Sequence, residues 1–307
     1  MKKTLRMVSR TSQLALFQAQ SVKTQLQALY PDLIIEITGI KTEGDYIIDT
    51  SLAKIGGKGL FVKALQDYLL TGKADIAVHS VKDMPAEFPE GLILAAILKR
   101  DDPRDVLVSQ HFSSVAELPP KARVGTSSLR RQAQFNRLRS DLTLESLRGN
   151  VDTRLKKLSH GQYDALILAA AGLHRLNETA AIKHYFSTED MLPAIGQGAL
   201  GIECRLDDTE TQQIIQPLHH LPTAHCILAE RSVSAALGGG CQLPLAGLAT
   251  LESNGSLQLT SCVGMPNGSR FIRATLNGQT TSATDLGKAV AALLLADGAE
   301  AILKACC

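Results

Sequence analysis

The sequence has no tryptophan, and only 5 tyrosines and 7 phenylalanines in 307 residues. So few rings argue against an aromatic stacking platform of the kind that grips single-stranded nucleic acid. A surplus of one charge is also missing: 32 Lys and Arg against 30 Asp and Glu leave a net charge of +2, which gives no overall attraction to nucleic acid or to a membrane surface. Long apolar runs are absent. The stretch 165–173 (ALILAAAGL) is among the longest, far short of the roughly 20 residues that span a bilayer. Lys2 and Lys3 open the chain, but Arg6 and Arg10 break any apolar core and no small-residue cleavage site follows, so a cytoplasmic protein is expected. The cysteines (Cys204, Cys226, Cys241, Cys262, Cys306 and Cys307) form no C-x-x-C pair and have no zinc-like histidine spacing. Free thiols in a reducing compartment, with no metal site, follow from that pattern.

What is present is the composition of a globular chain, 45% hydrophobic and 20% charged, able to bury a sizeable core. The length is compatible with two domains or three small ones. Over the first 200 residues, short apolar runs alternate with helical periodicity. Strand-like 5–9 precedes apolar residues at Leu14, Phe17, Val22, Leu26 and Leu29, one helical face that Pro31 stops. Strand 33–40, a Gly-rich stretch around Gly56, Gly57 and Gly59, a helix over 61–70 and a buried strand over 74–79 follow. After Pro103 the rhythm repeats, with strands at 122–124, 142–147 and 165–169 and helices to about 138 and over 151–158. This alternation predicts parallel β-α-β sheets. From about Pro222 the texture changes to a helix over 227–237, strands near 257–263 and 271–276, and a final helix over 283–295, a small α+β unit.

The residues that follow the strands carry the functional signal. Strand 5–9 runs into Arg10-Thr11-Ser12, 74–79 into Ser80-Val81-Lys82-Asp83, 122–124 into Gly125-Thr126-Ser127-Ser128 and then Arg130-Arg131, and 142–147 into Arg148-Gly149-Asn150. Ligands of open α/β sheets bind at the carboxyl ends of strands, and hydroxyls, helix N-termini and forked arginines there make an anion site. From Lys121 to His160 there are ten Lys or Arg against three Asp or Glu. Arg137, Arg139, Lys156 and Lys157 read as a solvated basic face, whereas Arg10, Arg130, Arg131, Arg148 and Arg154 stand where anions bind. Asp83, among cations and hydroxyls, is a candidate acid, base or cation stabiliser, or else a plain surface turn. Cys241, after three glycines, places a thiol on a flexible loop.

Other patterns are weaker. The stretch 196–201 (GQGALG) matches G-x-G-x-x-G but follows no clear strand and has no acidic partner about 20 residues on, so a tight turn is the simpler reading. His219, His220 and His225 read as solvated histidines near a domain junction. The Lys54–Lys58 stretch lacks the order of a P-loop.

Taken together, RTSQLALFQAQ (10–20), LAKIGGKGLFVKAL (52–65), ADIAVHSVKDMP (74–85), KRDDPRD (99–105), VGTSSLRRQ (124–132), LRGNVDTRL (147–155), LPAIGQGALGIECR (192–205) and GGGCQLP (238–244) resemble the porphobilinogen deaminase family over nearly the whole chain. The resemblance implies a transferase of tetrapyrrole (haem and porphyrin) biosynthesis. Such an enzyme joins four porphobilinogen molecules into hydroxymethylbilane, with release of ammonia, on a covalent dipyrromethane cofactor. It implies two doubly wound, periplasmic-binding-protein-like α/β domains, 1–98 with a return segment 199–216 and 104–192, and a small C-terminal α+β domain, 221–307, that carries the cofactor cysteine. Carried over, Cys241 bears the dipyrromethane by a thioether and Asp83 is the catalytic carboxylate. Lys82, Asp83, Thr126, Ser127, Ser128, Arg130, Arg131 and Arg148 bind the cofactor. Arg10, Ser12, Gln18, Arg148, Arg154 and Arg175 bind substrate, and Lys54, Lys58 and Phe61 sit on a covering loop. No metal, nucleic acid or membrane is implied, and a monomer is. Two positions depart from the family pattern: Glu43 stands where arginine is common and Gly238 where glutamate is common. A non-catalytic anion receptor of clamshell form would account for the strand-end arginines equally well, but leaves Asp83 and the Gly-Gly-Gly-Cys loop unexplained. An RNA-binding role for the 121–160 basic block lacks aromatics and net charge.

Overall fold

The computed structural model describes residues 2–42, 62–239 and 243–306. In chain order the strands are β1 (Thr4–Arg10), β2 (Ile34–Ile40), β3 (Ile76–Ser80), β4 (Leu92–Ile97), β5 (Asp105–Val108), β6 (Arg123–Gly125), β7 (Thr143–Glu145), β8 (Ala165–Ala169), β9 (Ile182–Tyr185), β10 (Leu200–Arg205), β11 (Leu245–Leu251), β12 (Ser256–Gly264) and β13 (Phe271–Gln279). The helices are α1 (Gln13–Leu29), α2 (Lys63–Leu70), α3 (Leu129–Leu138), α4 (Val151–Ser159), α5 (Ala170–Arg175), α6 (Thr209–Ile215), α7 (Leu221–Ala236), α8 (Ala283–Ala296) and α9 (Ala299–Ala305). The chain groups into two units, residues 1–101 with 199–224, and 102–198 with 225–307.

The first unit is built on a five-stranded sheet in the order β2-β1-β3-β10-β4. β1 runs parallel to β2 and β3, whereas β10 is antiparallel to both of its neighbours. The sheet is apolar on both faces, as a covered parallel sheet must be. Leu5, Met7 and Ile202 pack with Val22 and Leu26 of α1. Val8 and Ala77 pack on the other side with Leu65 and Leu69 of α2.

The second unit contains a sheet with the same plan, β7-β6-β8-β5-β9. β6 is parallel to β7 and β8, and β5 is antiparallel to β8 and β9. The sequence rhythm predicts parallel sheets throughout, and each sheet departs from it at one strand. Those strands, β5 and β10, are the first that the chain forms after passing from one unit to the other, so they enter their sheets against the direction of the β-α-β repeats. Phe135 of α3 is fully buried and meets the Phe186 ring edge-on at 5.9 Å. A buried aromatic of this kind costs about 3–5 kcal/mol to truncate to alanine.

The same unit holds an antiparallel sheet, β11-β12-β13, with α7, α8 and α9 burying Val233, Val290, Leu294 and Ile302 against it. α7 starts six residues earlier than its periodicity predicts and ends in a Schellman cap. The Gly238 amide donates to the Ala235 carbonyl and the Gly239 amide to that of Ser234, with Gly238 at φ +85. A left-handed residue at this position favours glycine, which is the physical reason for glycine at 238. Glu230, fully buried on α7, accepts from the Gly196 amide at 2.7 Å and the Ala249 amide at 2.9 Å. It thereby fastens the 196–198 turn to β11. Gly196 and Gly198 both have positive φ, and a Cβ on Gly201 in β10 would lie 2.6 Å from the Leu94 side chain; GQGALG is a tight turn followed by close packing.

Candidate functional site

In the first unit, the ends of β1 and β3 meet the N-terminus of α1. Ser12 is the N-cap of α1, its hydroxyl accepting from the Ala15 amide at 3.3 Å, so the chain leaves β1 through Arg10 and enters the helix at once. Gln18, two turns into α1, is buried and donates through Nε2 to the Ser80 hydroxyl at 2.9 Å. Ser80 closes β3, and a single 3-10 turn, Val81–Asp83, follows it. That turn buries Val81 and leaves Lys82 half-buried and Asp83 exposed. Arg10, Ser12, Gln18, His79, Ser80 and Asp83 line one pocket, whose apolar wall includes Val62 and Leu65. A cation, hydroxyls, a carboxamide and a carboxylate thus converge on one small volume at the carboxyl edge of the sheet, the arrangement expected of a binding site.

Beneath this pocket lies a feature absent from the sequence reading. His79 is 6% exposed and Glu203 of β10 is fully buried. Their Nε2 and Oε2 atoms stand 3.0 Å apart, and Gln66 of α2 donates to the other glutamate oxygen at 2.8 Å. The signal that could have found Glu203 is a lone carboxylate in an otherwise apolar strand (LGIECR), since an unpaired buried charge is costly.

In the second unit, the ends of β6 and β7 are stitched together by Ser127, whose hydroxyl donates to the Leu147 carbonyl at 2.8 Å and accepts from the Leu147 amide at 2.9 Å. Thr126 is buried, and its hydroxyl accepts from the Ser128 amide. Ser128 is the N-cap of α3. Arg148 and Arg154 are half-buried on either side of Gly149, whose carbonyl accepts from Arg154 Nε at 2.7 Å. Arg175 closes α5 and donates to the Gly198 carbonyl.

Arg130 and Arg131 are buried at the base of this edge. Arg130 Nη1 meets Asp105 Oδ2 at 2.6 Å and the Leu192 carbonyl at 2.8 Å. Arg131 donates to Asp105 Oδ1 from Nε at 3.1 Å and from Nη2 at 2.8 Å, and to the Ile167 carbonyl from Nη1, and Gln197 adds a fourth donor to Asp105 at 2.9 Å. Burial would push the Asp105 carboxyl up, but two guanidiniums, through charge and hydrogen bonds, hold it well below the usual range. Two arginines against one carboxylate leave one positive charge under the N-terminus of α3. Among the residues read as a solvated face, Arg137 stacks on the Phe271 ring at 4.1 Å, and Arg139 pairs with Asp141 and donates to the Val115 and Leu118 carbonyls.

His219 Nδ1 accepts from the Ile97 amide and His220 Nδ1 lies 2.8 Å from the Thr223 hydroxyl. No group of His, Cys, Asp and Glu suited to a metal ion occurs among the described residues, and no helix there is long and apolar enough to cross a membrane. Cys241, Lys54, Lys58, Phe61 and Glu43 lie outside the described residues.

Comparison with known proteins adds the following. Residues 5–213 match the model of the porphobilinogen deaminase dipyrromethane-cofactor-binding domain, and residues 224–296 that of the porphobilinogen deaminase C-terminal domain. Solved structures with a similar path include a putative methionine-binding lipoprotein of Bacillus subtilis, at 11% identity and a TM-score of 0.45 over 71% of this chain and 90% of that one. A periplasmic substrate-binding protein of an ABC transporter from Coxiella burnetii matches at 13% identity and 0.44, over 70% and 92%. The aliphatic sulphonate-binding protein SsuA of Escherichia coli matches at 14% identity and 0.42, over 77% and 71%.

Proposed function

The chain belongs to the porphobilinogen deaminase family, and from that premise we propose how its own residues carry out the family's reaction. That reaction is the transferase chemistry that condenses four porphobilinogen molecules into hydroxymethylbilane, releasing ammonia, in tetrapyrrole biosynthesis. The observation that carries the assignment of roles is the gathering of Arg10, Ser12, Gln18, Ser80 and Asp83 around one pocket, within the span matched by the cofactor-binding model.

Each porphobilinogen brings two carboxylates and one aminomethyl group. Arg10 and the capped N-terminus of α1 suit a carboxylate, with Ser12 and Gln18 shaping the wall beside it. Asp83 is the catalytic residue of the proposal. Departure of ammonia leaves an electron-poor azafulvene with positive charge on the pyrrole nitrogen, and a fixed carboxylate stabilises that charge where it develops. Lys82, on the same turn, adds a cation for a second carboxylate.

The dipyrromethane cofactor, when bound, supplies the primer on which the chain is built. The donor set of the second unit fits so acidic a group: Ser127, Ser128, Arg148 and Arg154 stand at the strand ends, and the buried Asp105 cluster leaves a net positive charge behind them. In this reading Thr126, Arg130 and Arg131 serve the cofactor as the floor that positions those donors and sets the local potential, and Arg175 adds a further cation for substrate. Cys241 is the attachment point and Lys54, Lys58 and Phe61 belong to the covering loop. Residues 1–98 with 199–216, 104–192 and 221–307 act as three domains of a cytoplasmic monomer without nucleic-acid partners. The near-neutral composition supports the last point.

Asp83→Asn tests the central role. The cofactor-loaded variant is expected to keep its KM for porphobilinogen within about threefold while kcat falls by roughly 100-fold or more, the loss of a group that acts in the transition state. A near-normal kcat would remove Asp83 from the mechanism.

A further inference from the structure

The second unit carries a side chain that the assignment above leaves idle. Tyr163 sits, half-buried, on the short link between α4 and β8. Its hydroxyl donates to the carbonyl of Ser146, the residue just past β7, at 2.7 Å. Its ring lies against Gly125, the last residue of β6, where a Cβ would come 3.0 Å from ring Cδ1. One side chain thus reaches both strand ends that lead into the proposed ligand groups, Thr126 to Ser128 after β6 and Arg148 after β7. Burial pushes the Tyr163 hydroxyl up, with Glu145 adding to the shift and Arg123 opposing it, so the group stays a donor at neutral pH.

The connection from β7 to α4 is polarised in one sense. Its four carbonyls from Ser146 to Gly149 each accept from a side chain: in order, Tyr163 Oη at 2.7 Å, Ser127 Oγ at 2.8 Å, Lys157 Nζ at 3.3 Å and Arg154 Nε at 2.7 Å. Lys157, which its spacing places on a solvated face, is half-buried and belongs to this set. The amides of Arg148, Gly149 and Asn150 have no partner among the described residues, and Asn150 gives the first turn of α4 no side-chain cap. A carbonyl oxygen repels an acid and an amide attracts it. With its carbonyls tied back and its amides unbonded, the connection sets positive dipoles beside Arg148, the polarity that an acid-rich ligand requires.

We propose that Tyr163 is a positioning residue of this edge: it acts on the acidic ligand through the 146–149 connection, and foremost through Arg148, without touching the ligand itself. The proposal rests on the assignment of Arg148 to cofactor and substrate made above. Tyr163 is the member of the set suited to this role alone. Ser127 and Arg154 are themselves assigned to the ligand, and Lys157 reaches its carbonyl over the longest of the distances. Without the Tyr163 hydroxyl the connection is no longer held at its first residue, and the guanidinium two positions on loses the fixed base that a bidentate contact with a carboxylate needs. The ring, packed on Gly125, is untouched by that loss.

The test is a double-substitution cycle in the full, cofactor-loaded chain: Tyr163→Phe, Arg148→Ala and the pair, each checked for loading by intact mass and for stability by urea titration. Loaded Tyr163→Phe is expected to raise KM for porphobilinogen about fivefold with kcat held within about twofold, the loss of a hydrogen bond felt in binding, at an unmoved urea midpoint. Arg148→Ala should raise KM further, and Tyr163→Phe added to it should then change nothing more. A Tyr163→Phe enzyme with the ordinary KM, with a clearly lowered urea midpoint, or with the same rise in KM once Arg148 is gone overturns the proposal. A Tyr163→Phe protein that keeps its midpoint but no longer loads supports it, because Arg148 is assigned to the cofactor as well. Should Arg148→Ala fail to load, Arg148→Lys, which keeps the charge but not the fork, takes its place in the cycle. An ordinary KM in loaded Arg148→Ala would instead sink the assignment of Arg148, and the proposal with it.

Discussion

Replacing Asp105 with asparagine removes the one negative charge from a fully buried cluster. Both carboxylate oxygens are engaged, by Arg130 at 2.6 Å, by Arg131 at 2.8 Å and by Gln197 at 2.9 Å. Asparagine keeps the shape but offers one acceptor in place of two, and leaves two guanidiniums together without a counter-charge. Breaking a buried ion pair from one side costs about 3–5 kcal/mol. A globular fold has about 5–15 kcal/mol in all, so this single change takes a third or more of an average margin. Because the chain has no tryptophan, far-UV circular dichroism in a urea titration is the suitable probe. The expected result is a transition moved to clearly lower urea at an unchanged slope. As a control, Asp141→Asn, which breaks the exposed pair with Arg139, should leave the transition where it was. A cost below about 1 kcal/mol for Asp105→Asn would refute the view that burial and pairing at this cluster hold the sheet edge together.

Two further outcomes follow from the charges and thiols. Asp75 and Asp208 share Lys2 and Arg205, and Asp75 also holds Arg6. Burial opposes ionisation of both, but those cations and the hydrogen bonds to them bring Asp208 down to about 2 and Asp75 well below the usual range. A depressed carboxyl stabilises the fold at pH values above its unfolded pKa, near 4, and that stability is lost as pH falls through the folded value. Urea midpoints should therefore be flat above about pH 5 and fall steeply from about pH 4 towards 2; a flat profile through that window would contradict the ion network. Burial pushes the Cys204 thiol up to about 11 and the Cys262 thiol up to about 12. At pH 8, iodoacetamide should leave both unmodified in the folded protein and label them only in urea, as peptide mass mapping would show.

Much of the α/β plan is legible because strands buried on both faces and helices with one apolar face carry different periods. The strand-end hydroxyls are legible for a local reason too: Ser12 and Ser128 cap the helices that start beside them, and N-caps are set by neighbours in sequence. What escapes the sequence is set by distant partners. Asp105, Glu203 and Glu230 are acids inside apolar segments, and only the fold supplies Arg130 and Arg131 to the first, His79 and Gln66 to the second and the Gly196 and Ala249 amides to the third. For the same reason the basic block at 121–160 divides in a way its spacing does not announce. Arg130 and Arg131 go inward, Arg137 lies on a ring, and Arg148 and Arg154 stay half-exposed. β10 is hard to read because a glutamate and a cysteine interrupt its apolar pattern, although it lies between β3 and β4 inside the first sheet.

The claim beneath all of this is that Cys241 anchors a dipyrromethane on which porphobilinogen units are assembled. Intact-mass spectrometry of the purified chain and of Cys241→Ala tests it most directly. The account predicts a mass above that of the polypeptide by one dipyrromethane, a further increment for each unit after brief exposure to porphobilinogen, and neither in Cys241→Ala. A bare polypeptide mass in a protein that still turns over porphobilinogen, or the same increment in Cys241→Ala, would contradict it.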